Sequence, residues 1–211
     1  MRASANLKQW GPYEGVVTDN VDPLKLGRVR ARVPGLLDEP DSDWMLPMGN
    51  VGAGTAQRGF FDVPAVESEV YVWFLGGDLD KPRFVTGNWG IPGGVSEVPT
   101  QAKAALDENA ADADSIKVYE TNSYVMVFDE REGQERFFIK RKREIEDEPD
   151  FNDEDLAGGN ALMIEMDATN GTCAISAPGG VFIRSLGLID IDGTIVQVAG
   201  RKVTNGIRDQ I

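Results

Sequence analysis

Glycine paces roughly the last fifty residues of this 211-residue chain, recurring at positions 171, 179, 180, 187, 193, 200 and 206. Between the glycines lie short β-rich runs. Residues 161–167 set Leu162, Ile164 and Met166 against Glu165 and Asp167, and residues 172–177 put Cys173 and Ile175 on one face. Residues 188–192 turn Ile189 and Ile191 inward with Asp190 and Asp192 outward, and 194–199 supply Val196 and Val198. Side chains alternate between the two faces of a strand, so each run predicts a strand of about five residues with a glycine at its turn. Strands this short, with no helix to cover them, cannot bury an apolar face alone and leave open edges. A single-chain solenoid needs more turns and a cap at each end. Several copies wound together cover one another's edges and inner faces, and the shortness of the segment favours that solution.

Composition narrows the chemistry. The chain has no histidine, which removes Ser-His-Asp and Cys-His pairs, histidine bases and histidine-ligated metals. Its one cysteine, Cys173, allows no intrachain disulfide and, inside a strand, is expected to be a small buried hydrophobe. The net charge of −14 repels phosphate backbones and weighs against nucleic acid as the main partner. No apolar run reaches the roughly 18 residues of a membrane helix, and the first residues carry no apolar signal core, so no secretory signal is expected.

The clearest single strand lies near the start. Asp19-Asn20 and Asp22-Pro23 make a turn, closed by Gly27. The chain then alternates: Val29, Ala31 and Val33 point one way and Arg28, Arg30 and Arg32 the other, until Pro34-Gly35 stops the strand. Residues 13–18 predict the strand before it. Residues 44–48 form a short apolar segment whose proline suits an edge. Residues 69–75 share Val70, Val72 and Phe74 on one face with Tyr71 and Trp73 on the other, and residues 83–86 return. Five short strands separated by turn signals predict a small closed barrel or sandwich.

From residue 92 to 114 the character changes to an Ala/Asp-rich stretch. It reads either as a short helix over 100–109 capped by Thr100 or as a flexible linker, and it is the best domain boundary. Residues 115–119, 123–128 and 135–140 come next as strands, the last two joined as a hairpin across 129–133. Residues 141–160 form a charged insertion expected to be a solvated loop; Asp153, Glu154 and Asp155 lack the ordered spacing of a calcium loop.

A longer combination of residues is recognisable in the first half. It runs Tyr13-x-Gly15, Asp22-Pro23, Gly27-Arg28-Val29 to Val33-Pro34, Ser42-Asp43-Trp44, Gly52-x-Gly54, Gly59-Phe60, Pro64, Glu69-Val70, Phe74 and Gly77-Asp78-x-Asp80-x-Pro82. It resembles the OB-fold domain shared by phage baseplate central spike proteins and the VgrG spikes of type VI secretion. One departure is at Ala65-Val66-Glu67-Ser68, where that family usually has a glycine before the next strand. The hairpin around Asp129-Glu130 and Gly133-x-Glu135-Arg136 is similar to the one that opens the spike's β-helix.

The resemblance implies an all-β chain: an N-terminal OB-fold barrel with a short arm over 1–91, a linker or short helix over 92–114, and over 115–211 a β-hairpin and an intertwined triple-stranded β-helix. It implies a structural, non-enzymatic homotrimer in the virion baseplate, assembled in the host cytoplasm. The OB domain would sit on the tail hub and the needle would pierce the host outer membrane. Ile164, Ile175, Ile189, Ile191, Val196 and Val198 become candidates for the trimer core, and Arg28, Arg30 and Arg32 for contacts with the hub or a neighbouring subunit. Some relatives bind iron through a His-x-His tip. Without histidine this chain cannot, so no metal or cofactor is expected, and either the tip is metal-free or a separate tip protein caps it. About 25 residues between the two parts are too few for the lysozyme domain that other relatives insert.

Two other functions compete. The arginine face with Tyr71 and Trp73 fits an OB-fold module for single-stranded nucleic acid. A β-helix enzyme acting on glycans would take an acid–base pair from Glu165, Asp167, Asp190 and Asp192, which the alternation otherwise places on an outer, solvated face.

Overall fold

The computed structural model describes residues 8–37, 41–49, 54–142, 162–189, 196–198 and 201–203. The calcium candidates Asp153, Glu154 and Asp155, together with Asp190, Ile191 and Asp192, lie outside the described residues. The chain divides into two compact units, Met1–Glu97 and Val98–Ile211.

The first unit is a five-stranded sheet. Its strands are β1 (Tyr13–Asp19), β2 (Arg30–Arg32), β3 (Leu46–Pro47), β4 (Glu69–Phe74) and β5 (Pro82–Thr86), in the order β2-β1-β4-β5-β3. All neighbours are antiparallel except β3 and β5. Pro47 sits on an edge strand, where its missing N–H costs no ladder bond. Just outside β2 and β3, Val29 and Met45 exchange backbone hydrogen bonds of 3.2 and 2.8 Å. The two edges therefore meet, and the sheet curls on itself as an OB barrel does. Inside lie Val17, Val29, Ala31, Val33, Met45, Val70, Val72, Phe74 and Phe84, the alternation expected from the sequence. Burying each of the larger of these side chains contributes about 1.5–3 kcal/mol.

The turn before β2 is built by Asp22, whose carboxylate accepts from the Leu24 N–H at 2.9 Å and the Leu26 N–H at 2.7 Å. Gly27 comes next at φ 72°, and a Cβ there would stand 2.9 Å from the Phe61 ring, so both backbone and space require glycine. In the Ala65-Val66-Glu67-Ser68 turn before the fourth strand, Glu67 adopts the left-handed conformation, at φ 71°. Its N–H donates to the Val17 carbonyl at 2.9 Å, which ties the turn to β1.

The second unit begins with α1 (Thr100–Glu108) and continues through β6 (Ile116–Glu120), β7 (Tyr124–Asp129), β8 (Arg136–Arg141), β9 (Met163–Asp167) and β10 (Thr172–Ser176). Thr100 does not cap the helix. Pro99 occupies the capping position, and the Thr100 N–H donates to the Glu120 carboxylate at 3.1 Å instead. The five strands form an antiparallel meander in the order β10-β9-β8-β7-β6. One face buries Val125, Val127, Phe138 and Met163, with Ala105 of α1 buried as well. A further antiparallel pair, β11 (Val196–Val198) with β12 (Arg201–Val203), stands apart; β11 falls within the run expected at 194–199. Of the strand expected over 188–192, the described residues 188 and 189 belong to no strand.

Two expectations fail here. Glu165 faces inward and is buried, in register with Phe138, whereas alternation with Ile164 and Met166 places it in solvent. The reason is that the covered face of this sheet is the mixed one: Asp129, Arg131, Lys140 and Glu165 are all buried on that side of the unit. Cys173, in turn, is exposed rather than buried.

Candidate assembly surfaces

The arginines of the β2 region are held by local partners to different degrees. Arg28 forms a two-point contact with Asp22, Nε at 3.0 Å and Nη2 at 2.5 Å from Oδ1. The Arg30 Nε donates to the Ser42 carbonyl at 3.0 Å. Both guanidinium groups lie near the Trp44 ring, 5.5 and 5.9 Å from its centroid, within reach of a cation–π contact. Arg28 holds the Asp22 carboxyl well below the usual carboxylate range, with backbone N–H groups assisting against burial. Arg32 alone is exposed. Trp44, as the platform beside two arginines, is not singled out by sequence reasoning; the Ser-Asp-Trp motif is its only signal.

The neighbouring strands break the positive stripe. Arg32 stands opposite Val16, which stands opposite Glu69, and Tyr71 stands opposite Glu14. Both glutamates are exposed. Tyr71 packs edge-on to Trp73, and its hydroxyl accepts from the Asn88 amide at 2.7 Å. A single strand of phosphates crossing this face would meet carboxylates between the arginine and the aromatic rings, which disfavours the nucleic-acid reading.

The second unit offers a different surface. Register places Tyr119, Met126, Ile139, Ile164 and Ile175 in one row across all five strands, on the face opposite the buried one. A second row runs Lys117, Phe128, Phe137, Met166 and Cys173. Phe128 and Phe137 pack with ring centroids 4.8 Å apart. Ile164 is 47% exposed, Met166 51% and Ile175 58%. This apolar face has no cover among the described residues of its own chain. The candidates Ile164 and Ile175 are thus brought together on it, while Ile189 is exposed further along. Ile191 is not described, and Val196 and Val198 lie in β11. Sequence reading misses Met126, Phe128, Phe137 and Ile139, although 123–128 and 135–140 are apolar on both strand faces.

Of the carboxylates considered for glycan chemistry, Asp190 and Asp192 lie outside the described residues, and Glu165 and Asp167 are held structurally. Asp167 accepts from both the backbone and the side-chain amide of Asn170 at 2.8 Å, which pins the β9–β10 turn and lowers its pKa. Glu165 is buried on the opposite face from the apolar rows. No group of three metal-ligating side chains occurs among the described residues, and no described helix is long and apolar enough to cross a membrane.

Residues 13–89 match the family model described as the type VI secretion system/phage-baseplate injector OB domain. That span coincides with the curled sheet, and it supports a structural role in a phage or type VI baseplate, in contact with other baseplate components. No curated protein matches the chain.

Proposed function

We propose that this chain is the central spike of a contractile-tail baseplate, acting as a trimer. An injector-type OB domain is followed in sequence by a sheet whose apolar face has no cover among the described residues, and that combination carries the reading. A contiguous exposed apolar patch on a soluble protein marks a surface that contacts a partner. Copies of the same chain would cover it, with Ile164 and Ile175 in the shared interior and Ile189, Ile191, Val196 and Val198 continuing that interior along a β-helix.

The mechanism is mechanical. Backbone hydrogen bonds shared between copies and a continuous apolar interior give a stiff needle, on which sheath contraction concentrates force at the host envelope. The OB domain seats the needle on the tail hub. Arg32, being exposed, is the arginine most available for that contact; Arg28 and Arg30 shape the surface around it. The tip would be metal-free or capped by a separate protein.

Gold-labelled antibody against this chain tests the assignment on purified tails. Label confined to the baseplate end supports it, and label along the sheath or on the capsid contradicts it.

A further inference from the structure

The turn between β9 and β10 carries an Asn-Gly pair, Asn170-Gly171, with both residues exposed. An asparagine followed by glycine is open to deamidation. The Gly171 nitrogen, unhindered by a side chain on its own residue, can attack the Asn170 Cγ and expel Nδ2 as ammonia. Water then opens the resulting succinimide ring, to aspartate or to isoaspartate with the chain rerouted through the side chain. The sum is one amide and one water converted to one carboxyl and one ammonia. The sequence holds one other such pair, and it sits in the same tripeptide: Thr169-Asn170-Gly171 and Thr204-Asn205-Gly206.

In the fold, the Asn170 amide is held. Its Nδ2 and its backbone N–H both donate to the Asp167 carboxylate, each at 2.8 Å. Both donors are drawn to a group three residues upstream, so the side chain folds toward its own N-terminal side and away from the Gly171 nitrogen. Charge acts in the same sense. A carboxylate beside the amide opposes the negative charge that builds up as the Gly171 nitrogen loses its proton and attacks. The frame of the turn is secured separately by Glu135. Its carbonyl accepts from the Ala168 N–H at 2.9 Å, and its carboxylate accepts from the Thr169 hydroxyl at 2.9 Å. Three residues before the second asparagine, the chain has Lys202 in place of an aspartate.

We infer that Asn170-Gly171 is a deamidation site of this chain and that the Asp167 carboxylate is the brake on it. The reaction starts when the Asn170 amide comes free of Asp167. Its product reverses the local electrostatics. Asp167 is kept ionised first by the bond from the Asn170 side chain, and conversion removes that bond and sets a second carboxylate beside it. The turn joining β9 to β10 is thereby loosened in one direction only, because the ammonia has left.

Peptide fragmentation mass spectrometry tests this on the full-length protein, held in mildly alkaline buffer and sampled over time. In urea strong enough to unfold the chain, Asn170 and Asn205 are expected to convert at matching rates, because their tripeptides are identical. In the folded wild type, Asn170 is expected to convert at least about tenfold more slowly than in urea, the factor that one hydrogen bond to a charged group supplies. Asp167→Ala should return Asn170 to the urea rate while far-UV circular dichroism retains its β signal. Asp167→Asn, close to the native shape but uncharged, repeats the test if alanine costs the fold. Glu135→Gln weakens the frame of the turn but leaves the bonds to Asp167 in place, so it should keep the slow rate. An Asn170 as slow in the Asp167 variants as in the wild type would overturn the inference. So would equal acceleration by Glu135→Gln, or an Asn170 that stays intact in urea while Asn205 converts.

Discussion

Arg131 and Asp129, two residues apart, are joined by a pair of hydrogen bonds, Nε to Oδ1 at 2.9 Å and Nη2 to Oδ2 at 2.8 Å. Both side chains are buried. The remaining arm of Arg131 reaches Glu108, the last residue of α1, at 2.6 Å. One guanidinium thus ties the helix to the end of β7, beside a cavity of about 170 Å³ lined by Gln101, Ala105, Ile116, Val127 and Phe138.

Removing one member of a buried pair leaves the other charge unpaired, at a cost of about 3 kcal/mol. Arg131→Met is therefore expected to lower the urea midpoint of the second unit by that equivalent. Glu108 is largely exposed, so Glu108→Gln should cost under about 1 kcal/mol. Equal losses for the two variants would contradict the assignment.

Asp22 gives a pH dependence with a definite sign. Its folded carboxyl is held below its unfolded value, first by Arg28, so below about pH 4 the unfolded chain takes up a proton that the folded chain resists. The stability it contributes is present above that pH and is lost as the pH falls. Asp129 is also lowered: burial opposes its ionisation, but the bonds from Arg131 outweigh that. Thermal melts between pH 7 and pH 3 should show falling stability at the acid end, and Asp22→Asn should flatten that fall while lowering stability at pH 7.

Glu67 in the left-handed conformation carries a backbone cost of about 1–2 kcal/mol, which glycine avoids. Part of the gain is offset by the greater freedom of glycine in the unfolded chain. Glu67→Gly is expected to stabilise the first unit by up to about 1 kcal/mol in urea unfolding; a loss would show that the side chain itself holds the turn.

Much of the first unit is legible in the sequence because one face of each strand is uniformly apolar: Val29, Ala31 and Val33, then Val70, Val72 and Phe74, all enter a single core. The second unit resists for a physical reason. Both faces of its sheet carry large apolar side chains, and the face the chain covers is the one that also holds Lys140 and Glu165. Polarity alone then misplaces Glu165. A lone strand cysteine is usually buried, yet Cys173 is exposed, on the face that has no cover among the described residues. At Thr100 the cap signal misleads by one residue, since Pro99 holds the capping position and Thr100 is the first residue of the helix.

The arginine face separates into structural and available residues. Arg32→Glu should change stability by no more than about 0.5 kcal/mol, as for an exposed side chain, while weakening association with the tail hub. Arg28→Glu should instead destabilise the first unit, because it would place two carboxylates together at Asp22. Hub capture by each purified variant, beside its melting curve, checks both.

The central claim is that the uncovered apolar face is an interface between copies, and mass in solution tests it most directly. Light scattering on the wild type is expected to give about three times the 23.0 kDa of one chain. Ile164→Asp combined with Ile175→Asp should bring the particle down to the single-chain mass while far-UV circular dichroism retains its β signal. A wild-type protein that stays at 23.0 kDa across the concentration range would contradict the account.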